Sequence, residues 1–200
     1  LDIVDSILIG VTRSIGAKAG AAIPYHVFHS WLGDVPHVVD GDRTTVQGLR
    51  DGEEVIEFPE PFGKLPVYHF GHPETVTRPA YRDREGKAAE SGSVACKGNF
   101  VPETFRDSLL AMYDLGLTET HELTVNGRSL RPIDFAASHL EYVGMTAASD
   151  AGSLPTGGAV VVEVSGSNDG TPVTHRYMGT ATMRDATGGA AAKGAALLAN

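Results

Sequence analysis

Gly157 to Met183 reads "GGAVVVEVSGSNDGTPVTHRYMGTATM" and decides the fold class. Val160, Val162 and Val164 alternate with Val161, Glu163 and Ser165, so the segment is a strand with one face wet or turned toward a site. "SNDG" is a tight turn, and a second long strand returns from it. Two long strands joined by a short turn pair antiparallel, which sets this chain apart from a purely parallel βαβ array.

Working outward, "SILIGV" (6–11) reads as a short buried strand and "PYHVFHSWLG" (24–33) as a helix, with Pro24 in its first turn and Gly33 as its C-terminal cap. "VPHVVDGDRTTV", "EEVIEF", "KLPVYHF" and "SVACKGNF" are further strands. "VPETFRDSLLAMYDLGL" (101–117) is a helix with Pro102 at its first position, an apolar stripe of Val101, Phe105, Leu109, Met112 and Tyr113, and Gly116 at its end. "ELTVNGRSL" carries an Asn-Gly hairpin turn. Pro132 opens a second such helix, which Gly144 closes. A last helix begins in "DATGG", capped by Asp185 or Thr187. "RDREGKAAESG" (82–92) is a surface loop. The fold class is therefore α+β, with a mixed, largely antiparallel sheet and helices packed mainly on one face. Residues 1–200 form one domain.

A net charge of −9 argues against nucleic acid and against an anionic membrane surface. No apolar run approaches a membrane span. A lone cysteine, Cys96, rules out an intramolecular disulfide. Together with the lack of a visible signal peptide, this points to the cytoplasm. The start without Met suggests an excised piece of a longer chain.

The glycines never fall at i and i+2, so the dinucleotide fingerprint G-x-G-x-x-G occurs nowhere. Neither a phosphate-cradling loop nor a nucleophile elbow is present. Chemistry concentrates instead in Val55–Pro79, which holds five prolines, two glycines, and His69 and His72 three apart. His69, His72 and Glu74 form a metal site, a turn lining a pocket, or plain scaffolding; the reading adopted holds no metal. His26 and His29 flank the apolar helix face of Val27, Phe28 and Trp31. Cys96, beside Lys97, is a nucleophile or a buried structural thiol. Thr187-Gly188-Gly189 is an anion-binding helix start or an ordinary cap.

Five segments together carry a resemblance: "GEEVIEFPEPFGKLPVYHFGHPETVTRP" (52–79), "KGNFVPETFRDSLLAMYDLGL" (97–117), "RPIDFAASHL" (131–140), "VVVEVSGSNDGTPVTHRYM" (160–178) and "ATGGAAAKGAALLAN" (186–200). In this order they resemble the C-terminal domain of saccharopine dehydrogenase-like oxidoreductases. The resemblance implies a substrate-binding and dimerisation domain of an NAD(P)-dependent enzyme acting on an amino-acid or imine-type substrate. NAD or NADP would sit on a missing N-terminal Rossmann domain of the same chain. This chain alone would bind no cofactor and be inactive. His69, His72, Glu74 and Lys97 would line one substrate cleft, and Thr187 and Gly188 would face the cofactor domain. Members that bind amino-dicarboxylates tend to carry Arg-Gly-Thr-x-Arg before the Lys-Gly strand, where this chain reads "ESGSVACKG". A non-catalytic ligand-binding or oligomerisation module is the alternative.

Overall fold

In the computed structural model of the chain, residues 1–15, 22–77, 91–149 and 154–199 are described. The elements run β1 (Ile3–Ser14), α1 (Ala22–Trp31), β2 (Asp34–Val39), β3 (Asp42–Gln47), β4 (Glu54–Glu57), β5 (Lys64–His69), α2 (Glu74–Thr77), β6 (Ser91–Val101), α3 (Phe105–Asp114), β7 (Leu123–Val125), β8 (Arg128–Leu130), α4 (Pro132–Ser149), β9 (Gly158–Asn168), β10 (Thr171–Ala181) and α5 (Met183–Leu198). The main sheet has the order β10-β9-β1-β6-β2-β3, and β5 joins β6 while pairing β4 on its other side. β1 and β6 are parallel; the other pairs are antiparallel. The α+β class with a mixed, mostly antiparallel sheet is thus the architecture of the chain.

Alternation along β1 and β6 builds a different core on each face. Ile9 and Val11 of β1, with Cys96 and Phe100 of β6, meet Val27, Phe28 and Trp31 of α1, Leu109 of α3, and Ile133, Ala136 and Leu140 of α4. Trp31 stacks on Phe70 at 4.0 Å between centroids and 13° between planes. Such a pair adds about 0.5–1.5 kcal/mol beyond the area it buries. On the opposite face, Leu8, Val101, Ala159 and Val161 pack against Ile56, Phe58, Phe62, Leu65 and Val67, so the β4–β5 hairpin folds over the sheet as a lid. The helices of the core, α1, α3 and α4, therefore lie on one face.

The β7–β8 and β9–β10 turns follow their sequence signals. Asn126-Gly127 and Asp169-Gly170 have positive φ at both central residues, as the hairpin turn that matches strand twist requires. β1 runs Ile3–Ser14, longer than the short strand expected at 6–11, and α1 begins at Ala22, before Pro24; three further element ends also differ from the sequence reading. Val101 still pairs with Ser14 in the β1–β6 ladder, and a residue before proline favours extended backbone. Pro102 thus opens a turn, and α3 starts only at Phe105 after Thr104. Gly144 does not end its helix: α4 continues to Ser149, and a Cβ at Gly144 would lie 3.1 Å from the Ile15 carbonyl, so the glycine serves close packing. The cap of α5 is Thr182. Its hydroxyl accepts from the Asp185 N–H at 3.2 Å and donates to the Asp185 carboxylate at 2.7 Å. The 82–92 loop lies outside the described residues up to position 90; Ser91 and Gly92 already belong to β6.

Candidate functional site

A cavity of about 290 Å³ opens at the end of the sheet, between α1 and the first turn of α5. That is near the lower limit for small-molecule sites, about 300–1,000 Å³. Its wall is apolar, with Val11, Val27, Trp31, Phe70, Phe100 and Val160 on it. Polar groups gather at its edges: His26 from α1, His72 from the turn after β5, and Thr180 and Thr182 leading into α5. The β9–β10 part of this face carries no helix of the core, so Val160 and Tyr177 stay exposed. Close approach of β6 to α1 shapes the wall. A Cβ on Gly98 would stand 2.7 Å from Trp31 Cη2.

The turn carrying His72 is braced against β6 and α1. The Phe70 N–H donates to the Cys96 carbonyl at 3.0 Å, and the Gly71 N–H donates to the Ser30 carbonyl at 2.5 Å. The Thr75 hydroxyl and N–H both donate to the His72 carbonyl, at 2.8 and 3.2 Å. His72 pairs through Nδ1 with the Glu74 carboxylate, and its ring lies 5.6 Å from that of Phe70. Cys96 Sγ reaches the same place: one ligand atom each from His72, Glu74 and Cys96 lie within 4.8 Å of one another. Burial, then the Glu74 carboxylate, pushes the Cys96 thiol up to about 12. A thiol so protonated is no nucleophile on its own. Nearby, burial first and then His72 and Arg13 hold His26 below the ordinary histidine value.

The four cleft residues expected from the sequence do not share one face. Lys97 follows Cys96 on β6 and points the other way. Its Nζ meets Glu54 Oε2 at 2.9 Å. His69 pairs opposite Lys97 in the β5–β6 ladder, and its ring lies 4.4 Å from that of His37. His37, His69, Lys97 and Glu54 form a second polar group, of which His69 is buried and the others half-buried. Burial, then His37 and Lys97, lowers His69 to about 4; burial and Lys97 also lower His37. Glu54 Oε1 and His37 Nδ1 are buried without a hydrogen-bond partner. Of the four, His72 lines the cavity and Glu74 reaches it only through its pairing with His72, while His69 and Lys97 face the other side of the sheet.

Thr187 and Gly188 lie in the second turn of α5, exposed. The helix N-terminus is Thr182–Asp185, so the free N–H groups are not those of Thr187-Gly188-Gly189. The sequence reading missed this end although the signal stood there: Thr182 and Asp185 have the capping spacing [ST]-x-x-[DE]. It also missed His26 and Trp31 as cavity residues, because the cavity joins α1 to β9 and β10 across more than 100 residues.

No family model and no curated protein matches this sequence. Among the described residues, no helix is long and apolar enough to cross a membrane.

Proposed function

We propose that this chain is the substrate-side domain of an NAD(P)-dependent oxidoreductase of the saccharopine dehydrogenase type. The observation that carries the proposal is the cavity bounded at one edge by His72 and at another by the first turn of α5. The sequence resemblance assigns that helix to the side of the cofactor domain, and the cavity opens beside it. A nicotinamide ring held across the mouth by a second domain would meet a substrate lying along the apolar wall. Hydride transfer to an imine asks the protein chiefly for orientation of the reacting carbon and exclusion of water. Trp31, Phe70 and Val160 supply an apolar bed, and the His72–Glu74 edge takes the polar head. Lys97 is turned away and engaged with Glu54, which removes it as the expected partner of a carboxylate. The apolar wall suits a substrate of apolar body, and Arg13, which lines the cavity, is the cation that lies there to meet an anionic end.

A binding module without chemistry is the second reading. It is favoured by the apolar lining of the cavity, which suits binding without chemistry. One experiment separates the two. The complete product of the gene is titrated with NADH and NADPH, and so is the 200-residue chain. The oxidoreductase reading expects micromolar binding by the complete product and none by the chain alone. A complete product that binds neither cofactor overturns it.

A further inference from the structure

Three side chains of different ligand chemistry converge where the cavity meets the sheet. Imidazole nitrogen of His72, carboxylate oxygen of Glu74 and thiol sulfur of Cys96 lie within 4.8 Å of one another. The backbone builds this convergence. Two main-chain bonds fix the turn, from Phe70 N–H to the Cys96 carbonyl and from Gly71 N–H to the Ser30 carbonyl. The double bond of Thr75 to the His72 carbonyl then sets His72 and Glu74 two residues apart on that turn. Cys96 is held from below by the β1–β6 ladder, where it pairs with Ile9.

We propose that His72, Glu74 and Cys96 form a three-ligand site for a divalent metal of the zinc class, which His72, a lining residue of the cavity, links to the cavity edge. Tetrahedral bonds to nitrogen, oxygen and sulfur of about 2.0–2.3 Å place ligand atoms roughly 3.5 Å apart. The three atoms lie within 4.8 Å of one another, and rotation of His72 and Glu74, both half-exposed, would bring them to that spacing. Sulfur with imidazole selects zinc or cobalt over calcium and magnesium, which prefer oxygen alone. Three protein ligands with a fourth position left free is the pattern of a reactive zinc centre, whereas a structural one closes all four. An ion pair between His72 and Glu74 would account for those two residues. It leaves aside the buried sulfur of Cys96, which lies within 4.8 Å of both and has a backbone hydrogen bond with Thr75.

The inference reverses the metal-free reading of the sequence. It deepens the proposed function and rests on the same cavity, because the metal would bind the polar head of the ligand that the apolar wall receives.

The test needs no substrate. The chain, stripped with a chelator, is titrated with Co²⁺ and then with Zn²⁺. Cys96 is the only cysteine, so a thiolate-to-cobalt charge-transfer band reports that residue alone. The expected result is one equivalent of Co²⁺ with this band, displaced by Zn²⁺. Cys96→Ser abolishes the band, and His72→Gln and Glu74→Gln each weaken binding at least about tenfold, a loss that even an outer-sphere partner's removal can produce. Should Cys96→Ser fail to fold, the two half-exposed variants carry the test. A folded wild-type chain with no charge-transfer band overturns the proposal, as does a band whose affinity neither variant changes. Loss of the metal site with binding of an apolar ligand intact leaves the cavity reading standing, so the two failures are distinguishable.

Discussion

Cys96 and Lys97 are consecutive on β6 and serve opposite faces of the sheet. Cys96 Sγ lies within 4.8 Å of ligand atoms of His72 and Glu74 on one face, and Lys97 Nζ bonds Glu54 Oε2 at 2.9 Å on the other. One strand thus separates two polar clusters. Lys97→Ala is expected to destabilise the fold by about 1–3 kcal/mol, because it strands a half-buried carboxylate. Ligand uptake by the cavity should not change. Urea unfolding and a binding titration on the same variant check both halves.

Acid should weaken the fold through His69. Its folded value of about 4 lies below the ordinary 6.5, so the native state holds it neutral while the unfolded chain takes up a proton between those values. The stabilisation is complete above pH 6.5 and is lost as pH falls toward 4. The groups facing His69 are His37 on β2, Lys97 on β6, and Glu54 and Asp51 around the start of β4. At about 1.4 kcal/mol per unit, the upper bound is on the order of 3 kcal/mol. Melting temperature should rise from pH 4 to 6.5, and His69→Gln should flatten that slope. An equal slope in the variant assigns the effect elsewhere.

Gly98→Ala should cost about 1–3 kcal/mol through overpacking, since its methyl would meet the Val11 carbonyl oxygen at 2.5 Å and Trp31 at 2.7 Å. Trp31 is the only tryptophan, so a change in its emission in the folded variant would report displacement of the cavity wall. Unchanged stability and emission would show that both the Val11 backbone and Trp31 have room to move.

The strands and the class were legible because alternation and turn chemistry are local. "GSNDGT" and "VNGR" fixed two hairpins, and the Val160–Val164 alternation announced a face left partly open. The division of the candidate site was not legible. Whether His72 stands with Lys97 or with Cys96 depends on the register of β5 against β6 and on how Gly71 turns the chain off the sheet. Neither is encoded within a few residues. Helix starts failed for a nearer reason. Proline marked Val101-Pro102 as a boundary but not on which side the helix lay, and the Thr182–Asp185 cap was passed over for a more conspicuous Thr-Gly pair.

A dimer is expected in solution. Tyr177 on the open part of the sheet is 64% exposed, and Phe135 and Tyr142 of α4 are 61% and 62% exposed, with the His139 ring stacked between them. Apolar surfaces of this kind usually find a partner. Sedimentation equilibrium should show self-association that Tyr142→Glu or Tyr177→Glu weakens. A strict monomer at the highest attainable concentration counts against it.

The central claim is that the cavity between α1 and α5 receives a ligand of apolar body. Gly179 lines it from β10, and a Cβ added there meets no atom within 4 Å. Gly179→Phe therefore starts from open space at the cavity and suits a strand. The measurement is titration of wild type and Gly179→Phe with anilinonaphthalene sulfonate, an apolar probe with one anionic group, read through quenching of Trp31 emission. The account predicts one equivalent bound by wild type with strong quenching. In Gly179→Phe, whose melting curve stays that of wild type, affinity should fall at least about tenfold, a loss of about 1.4 kcal/mol. Equal affinity and equal quenching in the two proteins would contradict it.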